Sequence, residues 1–302
     1  MPINLAQIRQ ELFPGLRGIE GRYQQIPTQW DKVFERGTSN MALERTSEMR
    51  FLGLFQQKTE GGQITFDNAA GDRYVYNQEH LELALGYAIT RKAIEDNLYK
   101  DQFDPSNLGL MDSASQTKEI IGANILNNAT TYDSTIVGDG VALLSTAHPI
   151  DGNTWANTPT VQVDLSEAAL ENAQTAIRYF PDQAGLRIRA QGRLLIVAPQ
   201  NKYVATRLLE TELRPGTANN DVNALKWGKD YDQGFQVMDF LTSAFPWYVK
   251  TDKKGLLYLE RRKFDTDMQV DFTTQNLLVA ATERYSFGYY NPRAIYGSTP
   301  TS

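Results

Sequence analysis

Between residues 51 and 77 the sequence carries the pattern of a β-hairpin with too few apolar residues to be stable alone. Two short alternating runs, residues 63–67 and 73–76, are separated by turn-forming residues, as in two strands joined by a loop. An isolated two-stranded ribbon is only marginally stable in water. The hairpin is therefore predicted either to pack back on its own domain or to bind another molecule.

The segment before the hairpin also lacks partners of its own. Residues 1–45 begin with a helical stripe and continue with apolar side chains spread thinly between turn formers. We predict an extended N-terminal arm that lies on another surface, with Phe13 and Trp30 among its apolar anchors. Arm and hairpin together predict a protein that associates with itself.

The rest of the chain predicts an α+β body. A strand is expected over Leu81–Ile89, followed by a short helix that Thr90 caps and a longer helix over 113–128 that starts at a capping box on Ser113. An amphipathic helix capped by Asp164 is predicted next, followed by a buried strand over 192–199 that Pro199 ends at the start of a further helix. The remaining elements are predicted as strands over 235–240, 247–249 and 256–260 and β structure over 277–289. In the last of these, the stripe of Tyr285, Phe287 and Tyr289 is interpreted as sheet core and not as a base-stacking platform.

Composition excludes several kinds of site. The 302 residues include no Cys, so disulfides, thiolate metal sites and Cys nucleophiles are excluded. The sequence has only two histidines, His80 and His148. They provide few candidate ligands for a zinc site and few candidate bases for a His-dependent triad. The common phosphate-binding, nucleophile-elbow and metal motifs are absent. We therefore expect no enzyme, no metal and no cofactor.

Charge and hydropathy limit the partners. A net charge of −6 argues against a protein that grips nucleic acid through a broad basic face. The sequence has no apolar run of transmembrane length, and its start lacks the pattern of a secretory signal. We expect a cytoplasmic translation product with no membrane partner.

One local sequence allows a catalytic alternative. Its residues are Ser145 or Thr146 as nucleophile, His148 as base, and Asp139 or Asp151 as acid. A working triad is usually assembled from separate elements, so residues this close in sequence rarely form one. The favoured interpretation is that His148 makes local hydrogen bonds that hold a loop, and the other histidine is interpreted in the same way. A small α/β hydrolase using Ser145 and His148 stays as an alternative.

An ordered set of phrases carries a family resemblance. They are residues 85–91, 94–99, 116–117, 123–128, 139–149, 154–157, 194–199, 215–221 with Asn223, 283–288 and 295–297. In this order they resemble the major capsid proteins of tailed bacteriophages, in particular the Mu-like major head subunit group of the Hong Kong 97 fold. The first 80 residues match that group by layout more than by letters.

The resemblance implies a division of the chain. Residues 1–45 would be the N-terminal arm and residues 46–80 the extended loop that reaches over a neighbouring subunit. Residues 81–140 would open the peripheral domain, with the spine helix over 113–128. Residues 141–250 would form the axial domain, and residues 251–302 the returning peripheral-domain strands and the C-terminal tail.

The resemblance also implies partners and a location. Members build icosahedral shells from pentamers and hexamers of one chain, enclose double-stranded DNA without specific contacts, and use a portal protein, with scaffolding and decoration proteins as further candidates. The protein would be part of the virion head, assembled in the cytoplasm of a bacterial host. The candidate subunit-contact residues are Phe13, Trp30, Ile64, Phe66, Tyr74 and Tyr76. Lys58 is expected to be solvated, since no motif supports a covalent crosslink.

Two further alternatives follow from the same fold or the same particle. One is an encapsulin-like nanocompartment shell, which encloses enzymes instead of DNA. The other is a tail or head-completion protein, which would form rings or tubes without closed shells.

Overall fold

The computed structural model describes residues 22–23, 25–67, 71–96, 99–213 and 221–301. The described strands are, in chain order, β1 (Glu35–Thr38), β2 (Leu43–Arg50), β3 (Gly71–Glu79), β4 (Leu81–Ile89), β5 (Val137–Gly138), β6 (His148–Ile150), β7 (Asn153–Trp155), β8 (Gly192–Val197), β9 (Phe235–Val237), β10 (Trp247–Thr251), β11 (Leu256–Val270), β12 (Leu277–Tyr289) and β13 (Ile295–Ser298). The described α-helices are Arg91–Glu95, Tyr99–Asn127, Glu167–Arg178, Lys202–Leu209 and Ala224–Trp227, with 3-10 turns at Trp30–Lys32, Pro199–Asn201 and Pro292–Ala294.

The first sheet has the strand order β1-β11-β12-β4 and is built on the long antiparallel pair β11–β12. Tyr285, Phe287 and Tyr289 point from β12 into a core that includes Ala123 and Leu126 of the long helix, Tyr99–Asn127. All five side chains are buried. The interpretation of the aromatic stripe as sheet core is confirmed.

The second sheet has the order β13-β10-β8-β9 and is covered by helices. Helix Glu167–Arg178 buries Leu170, Ala173 and Ile177 in the same cluster as Leu195 of β8. Burial of each large aliphatic side chain contributes about 1.5–3 kcal/mol. The helix predicted from the amphipathic pattern is present, and its apolar face is buried.

The predicted helix starts are partly wrong. Ser166, and not Asp164, caps helix Glu167–Arg178, because its side chain accepts the Ala169 N–H. The long helix starts 14 residues before Ser113 in the sequence, at Tyr99, so Ser113 lies inside it and its carbonyl accepts the Thr117 hydroxyl at 2.7 Å. Tertiary burial explains the longer helix, since Met111 packs in a cluster with strand residues and offsets the weak helix propensity of the preceding turn.

Other local predictions are confirmed. The strand Leu81–Ile89 is present as β4, and Thr90 caps the helix that follows it by accepting the Ala93 N–H at 3.3 Å. Strand β8 ends before Pro199, which opens a 3-10 turn that leads into helix Lys202–Leu209. The last strand, β13, pairs with β10. Residues 251–302 thus contribute to both sheets, not only to the sheet of β11 and β12.

The hairpin was predicted with the wrong partner strand. Strand β3 pairs with β2, from Leu43 opposite Glu79 to Arg50 opposite Gly71, and residues 51–67, all of them described, form no strand. Strand β3 also pairs with β5, with Val75 opposite Gly138 and Tyr76 opposite Val137. Such contacts join residues far apart in sequence, so local alternation does not encode them.

Candidate assembly surface

Strands β2 and β3, together with residues 51–67 between them, form what we call the ribbon, and residues 51–67 are its tip. The tip exposes several large apolar side chains, each more than half accessible: Phe51, Leu52, Leu54, Phe55, Ile64 and Phe66. Exposed apolar patches of this kind mark contact sites for other molecules. The tip is therefore the candidate assembly surface.

The base of the ribbon, by which we mean the paired strands β2 and β3, is fixed to the body by a buried ion pair. Glu48 on β2 accepts a hydrogen bond from the Arg293 guanidinium, and their side chains are 12% and 5% exposed. Arg293 also donates to the Pro181 carbonyl and lies 4.9 Å from the centre of the Trp155 ring. One side chain thus joins the ribbon to two segments of the second half of the chain.

A second set of contacts joins the ribbon to β6 and to the turn that follows it. Arg50 and Arg73 lie 3.3 Å and 3.9 Å from the carboxylate of Asp151, in the turn between β6 and β7. The hydroxyl of Tyr74 donates to the Pro149 carbonyl at 3.5 Å. The strands of the ribbon are therefore held at several points, whereas the large apolar side chains of the tip are exposed.

The candidate contact residues of the ribbon occupy different environments. Ile64 and Phe66 are exposed at the tip, at 66% and 80%, and Tyr74 is half-buried at the base. Tyr76 is buried in the core, 6.1 Å from Tyr289 between ring centres. Burial, with the nearby carboxylates, raises the pKa of Tyr76. Tyr76 therefore offers no surface to a neighbour in this structure.

A glycine makes room for Tyr76. Gly138 on β5 has φ of +59°, and a Cβ there would lie 2.3 Å from the Tyr76 ring. Both the left-handed backbone and the close approach require glycine at this position.

Trp30 is also an internal residue. Its ring lies 4.3 Å from that of Tyr258 and 5.4 Å from that of Phe287, and it is 3% exposed. Glu119 on the long helix accepts the backbone N–H groups of Gln29 and Trp30. The expectation that Trp30 lies on another surface is therefore wrong, because its own sheet buries it. Phe13, the other anchor expected in the arm, is outside the described residues.

The structure also places the residues of the catalytic alternative. His148 is fully buried, with Nδ1 at 2.7 Å from an Asp139 oxygen and Nε2 at 3.1 Å from the amide oxygen of Asn157. The Asn157 amide nitrogen donates to the carbonyls of Leu143 and Pro292. Both ring nitrogens thus have partners other than Ser145 or Thr146, and the interpretation of His148 as a residue that holds a loop is confirmed.

Two kinds of feature are absent from the described part of the chain. Within those residues no group of three or more His, Asp or Glu side chains could hold a metal ion. A search of the same residues finds no helix that could cross a membrane.

The comparison with protein families gives a direct answer. A sequence model of the phage capsid protein family matches residues 82–298. The match covers more than two thirds of the chain, and the chain belongs to this family. A comparison with curated proteins gives no match.

Solved structures agree on the fold. The virus-like particle protein from Pyrococcus furiosus has a TM-score of 0.54 at 11% identity, with 96% of this chain and 100% of that chain covered. A chain of Mycobacterium phage Patience gives a TM-score of 0.53 at 8% identity, with 99% of this chain and 89% of that chain covered. A chain of the bacteriophage JBD30 procapsid gives 0.52 at 14% identity, covering 99% and 77%.

The fold is therefore the Hong Kong 97 fold, and the protein is a phage capsid protein. As such it is a structural component of the virion that assembles with copies of itself into a shell.

Sequence reasoning missed part of the candidate surface. A dense apolar group precedes the predicted hairpin strands and is the sequence signal for this part of the surface: Phe51, Leu52, Leu54 and Phe55. The pairing of Glu48 with Arg293 had no such signal, because 245 positions separate the two residues.

Proposed function

We propose that this chain is the major capsid subunit of a tailed-phage head, forming pentamers and hexamers of an icosahedral shell around double-stranded DNA. The observation that carries the proposal is the ribbon, which has a base fixed by buried contacts and a tip with exposed apolar side chains. A ribbon whose strands are fixed to the subunit and whose tip exposes apolar side chains suits a repeated contact in which each copy binds the next. The family match supplies the context.

In this proposal the ribbon, within residues 46–80, reaches over a neighbouring subunit. Residues 1–45 act as the arm. The sheet of β11 and β12 with the long helix belongs to the peripheral domain, and the sheet of β8 and β10 with its helices to the axial domain around the capsomer axis. Ile64 and Phe66 contact the neighbour, and Tyr74 supports the ribbon from its base.

Further partners follow from the same role. The shell would surround non-specifically bound DNA, join a portal protein, and use scaffolding or decoration proteins where the particle needs them. Assembly would take place in the cytoplasm of the bacterial host. The exposed Lys58 at the tip is proposed to stay uncrosslinked. Membership of the Mu-like group stays a prediction.

A substitution pair tests the role of the tip. Phe66→Asp places a charge on an apolar contact, so we expect folded subunits that form no closed shells. The matched control is Thr65→Asp, which introduces the same charge at the neighbouring exposed position but removes no large apolar side chain. Size-exclusion chromatography with negative-stain microscopy measures assembly, and circular dichroism checks the fold. Normal shells from Phe66→Asp would exclude the proposed contact.

The likeness to the Pyrococcus furiosus virus-like particle protein favours one alternative, a nanocompartment that carries protein cargo. Nucleic-acid and protein analysis of purified particles separates the two functions. Packaged DNA supports the phage head, and a stoichiometric enzyme cargo supports the nanocompartment.

A further inference from the structure

His80 lies where the ribbon joins the body. It follows β3 directly, while Ser39 lies in the connection that leads into β2. The His80 N–H donates to the Ala42 carbonyl at 3.5 Å, and the Ser39 N–H donates to the Glu260 carbonyl of β11 at 3.0 Å. Both ends of the ribbon therefore meet at this histidine.

The side chain of His80 bridges the ribbon and the sheet. Its Nε2 lies 3.0 Å from the Ser39 hydroxyl, and its Nδ1 lies 3.0 Å from the hydroxyl of Ser286 on β12. The three residues are at most 5% exposed. Water therefore has little access to these hydrogen bonds.

The hydrogen-bond partners fix the direction of each bond. The Ser39 hydroxyl donates to the Glu44 carboxylate, so its oxygen accepts from His80 Nε2–H. A neutral imidazole carries one donor and one acceptor nitrogen, which leaves Nδ1 to accept from the Ser286 hydroxyl. The arrangement fits neutral His80 without an unpaired group.

Protonation would disturb this arrangement. A proton on Nδ1 removes the acceptor of the Ser286 hydroxyl and adds a positive charge near Arg261 of β11 and Arg284 of β12. Burial, followed by these two arginines, lowers the pKa of His80, and Glu44 on β2 acts in the opposite direction.

We propose that His80 is a positioning residue that latches the ribbon to its own subunit when neutral and loosens this attachment when protonated. Since the latched state binds fewer protons, the latch is fully effective above the ordinary histidine pKa of 6.5 and weakens as the pH falls below it. The latch lies within one subunit, and only its consequence for assembly rests on the proposed function of the ribbon.

Hydrogen exchange tests the latch on unassembled full-length subunits, so that a ribbon without any neighbour contact would still report it. After correction for intrinsic exchange chemistry, we expect the amides of β2 and β3 to exchange about tenfold faster at about pH 5 than at neutral pH, the factor of one lost net hydrogen bond. His80→Gln, which does not titrate, should remove this pH response. His148→Gln changes the chain's other histidine and should keep it.

A second variant guards against misfolding of the first. Ser286→Ala removes the hydroxyl that joins His80 Nδ1 to β12, so the amides of β2 and β3 should exchange faster already at neutral pH and their pH response should shrink. Slow exchange at neutral pH with a wild-type pH response in Ser286→Ala, or a wild-type pH response in His80→Gln, would overturn the proposal. A wild-type ribbon whose corrected exchange does not change with pH would do so as well.

Discussion

The base and the tip of the ribbon differ in almost every physical respect. At the base, Glu48 and Arg293 form a buried ion pair and Tyr76 fills the core. At the tip, Phe55 and Phe66 are exposed, and no strand forms between residues 51 and 67, which the structure describes throughout. The comparison teaches that one hairpin serves two purposes, since the subunit determines where the ribbon starts and leaves its end free for a partner.

The largest stability effect is expected when the base loses its cation. Arg293→Met leaves the Glu48 carboxylate buried without its partner, a change that costs about 3–5 kcal/mol. Urea unfolding of the subunit measures the loss of unfolding free energy. The double variant Glu48→Gln/Arg293→Met removes the unpaired charge and should recover much of this loss. Equal losses in the single and double variants would show that the ion pair does not fix the base.

A smaller loss is expected where the core admits Tyr76. Gly138→Ala adds a methyl group against the Tyr76 ring and strains a backbone with φ of +59°, so unfolding should require about 2 kcal/mol less. The matched control is Gly140→Ala, at φ of +82° with no heavy atom within 4 Å of the added Cβ. Thermal unfolding should place Gly138→Ala clearly below this control. Equal melting temperatures would mean that Tyr76 adjusts without cost.

The smallest effect on stability is expected where the base contacts Asp151. Asp151→Asn removes a carboxylate that is half exposed and bound to Arg50 and Arg73. Exposed ion pairs contribute about 0–1 kcal/mol, so the unfolding free energy should change little and assembly should persist. A loss of unfolding free energy as large as that of Arg293→Met would mean that Asp151 holds the base as firmly as Arg293 does.

Local sequence patterns predicted the elements whose partners are also local. The apolar face of helix Glu167–Arg178, the cap at Thr90 and the buried strand β8 follow from spacing over one or two turns. The family phrases, which lie in this body, led to the correct fold.

The ribbon could not be predicted to the same extent. Residues 63–67 alternate as a strand does, yet β3 pairs with β2, and the contacts of these strands, such as that of Glu48 with Arg293, join residues far apart in sequence. Trp30 was expected on a foreign surface because its partners, Tyr258 and Phe287, come more than 200 residues later. Long-range contacts of this kind leave no local signal.

The most direct measurement is a cryo-EM structure of particles assembled from this chain. We predict that residues 51–67 of one subunit lie on a neighbouring subunit, with Phe66 buried between the two and Glu48 still bound to Arg293 of its own subunit. A closed shell in which the tip folds back on its own subunit, or leaves Phe66 in solvent, would contradict it.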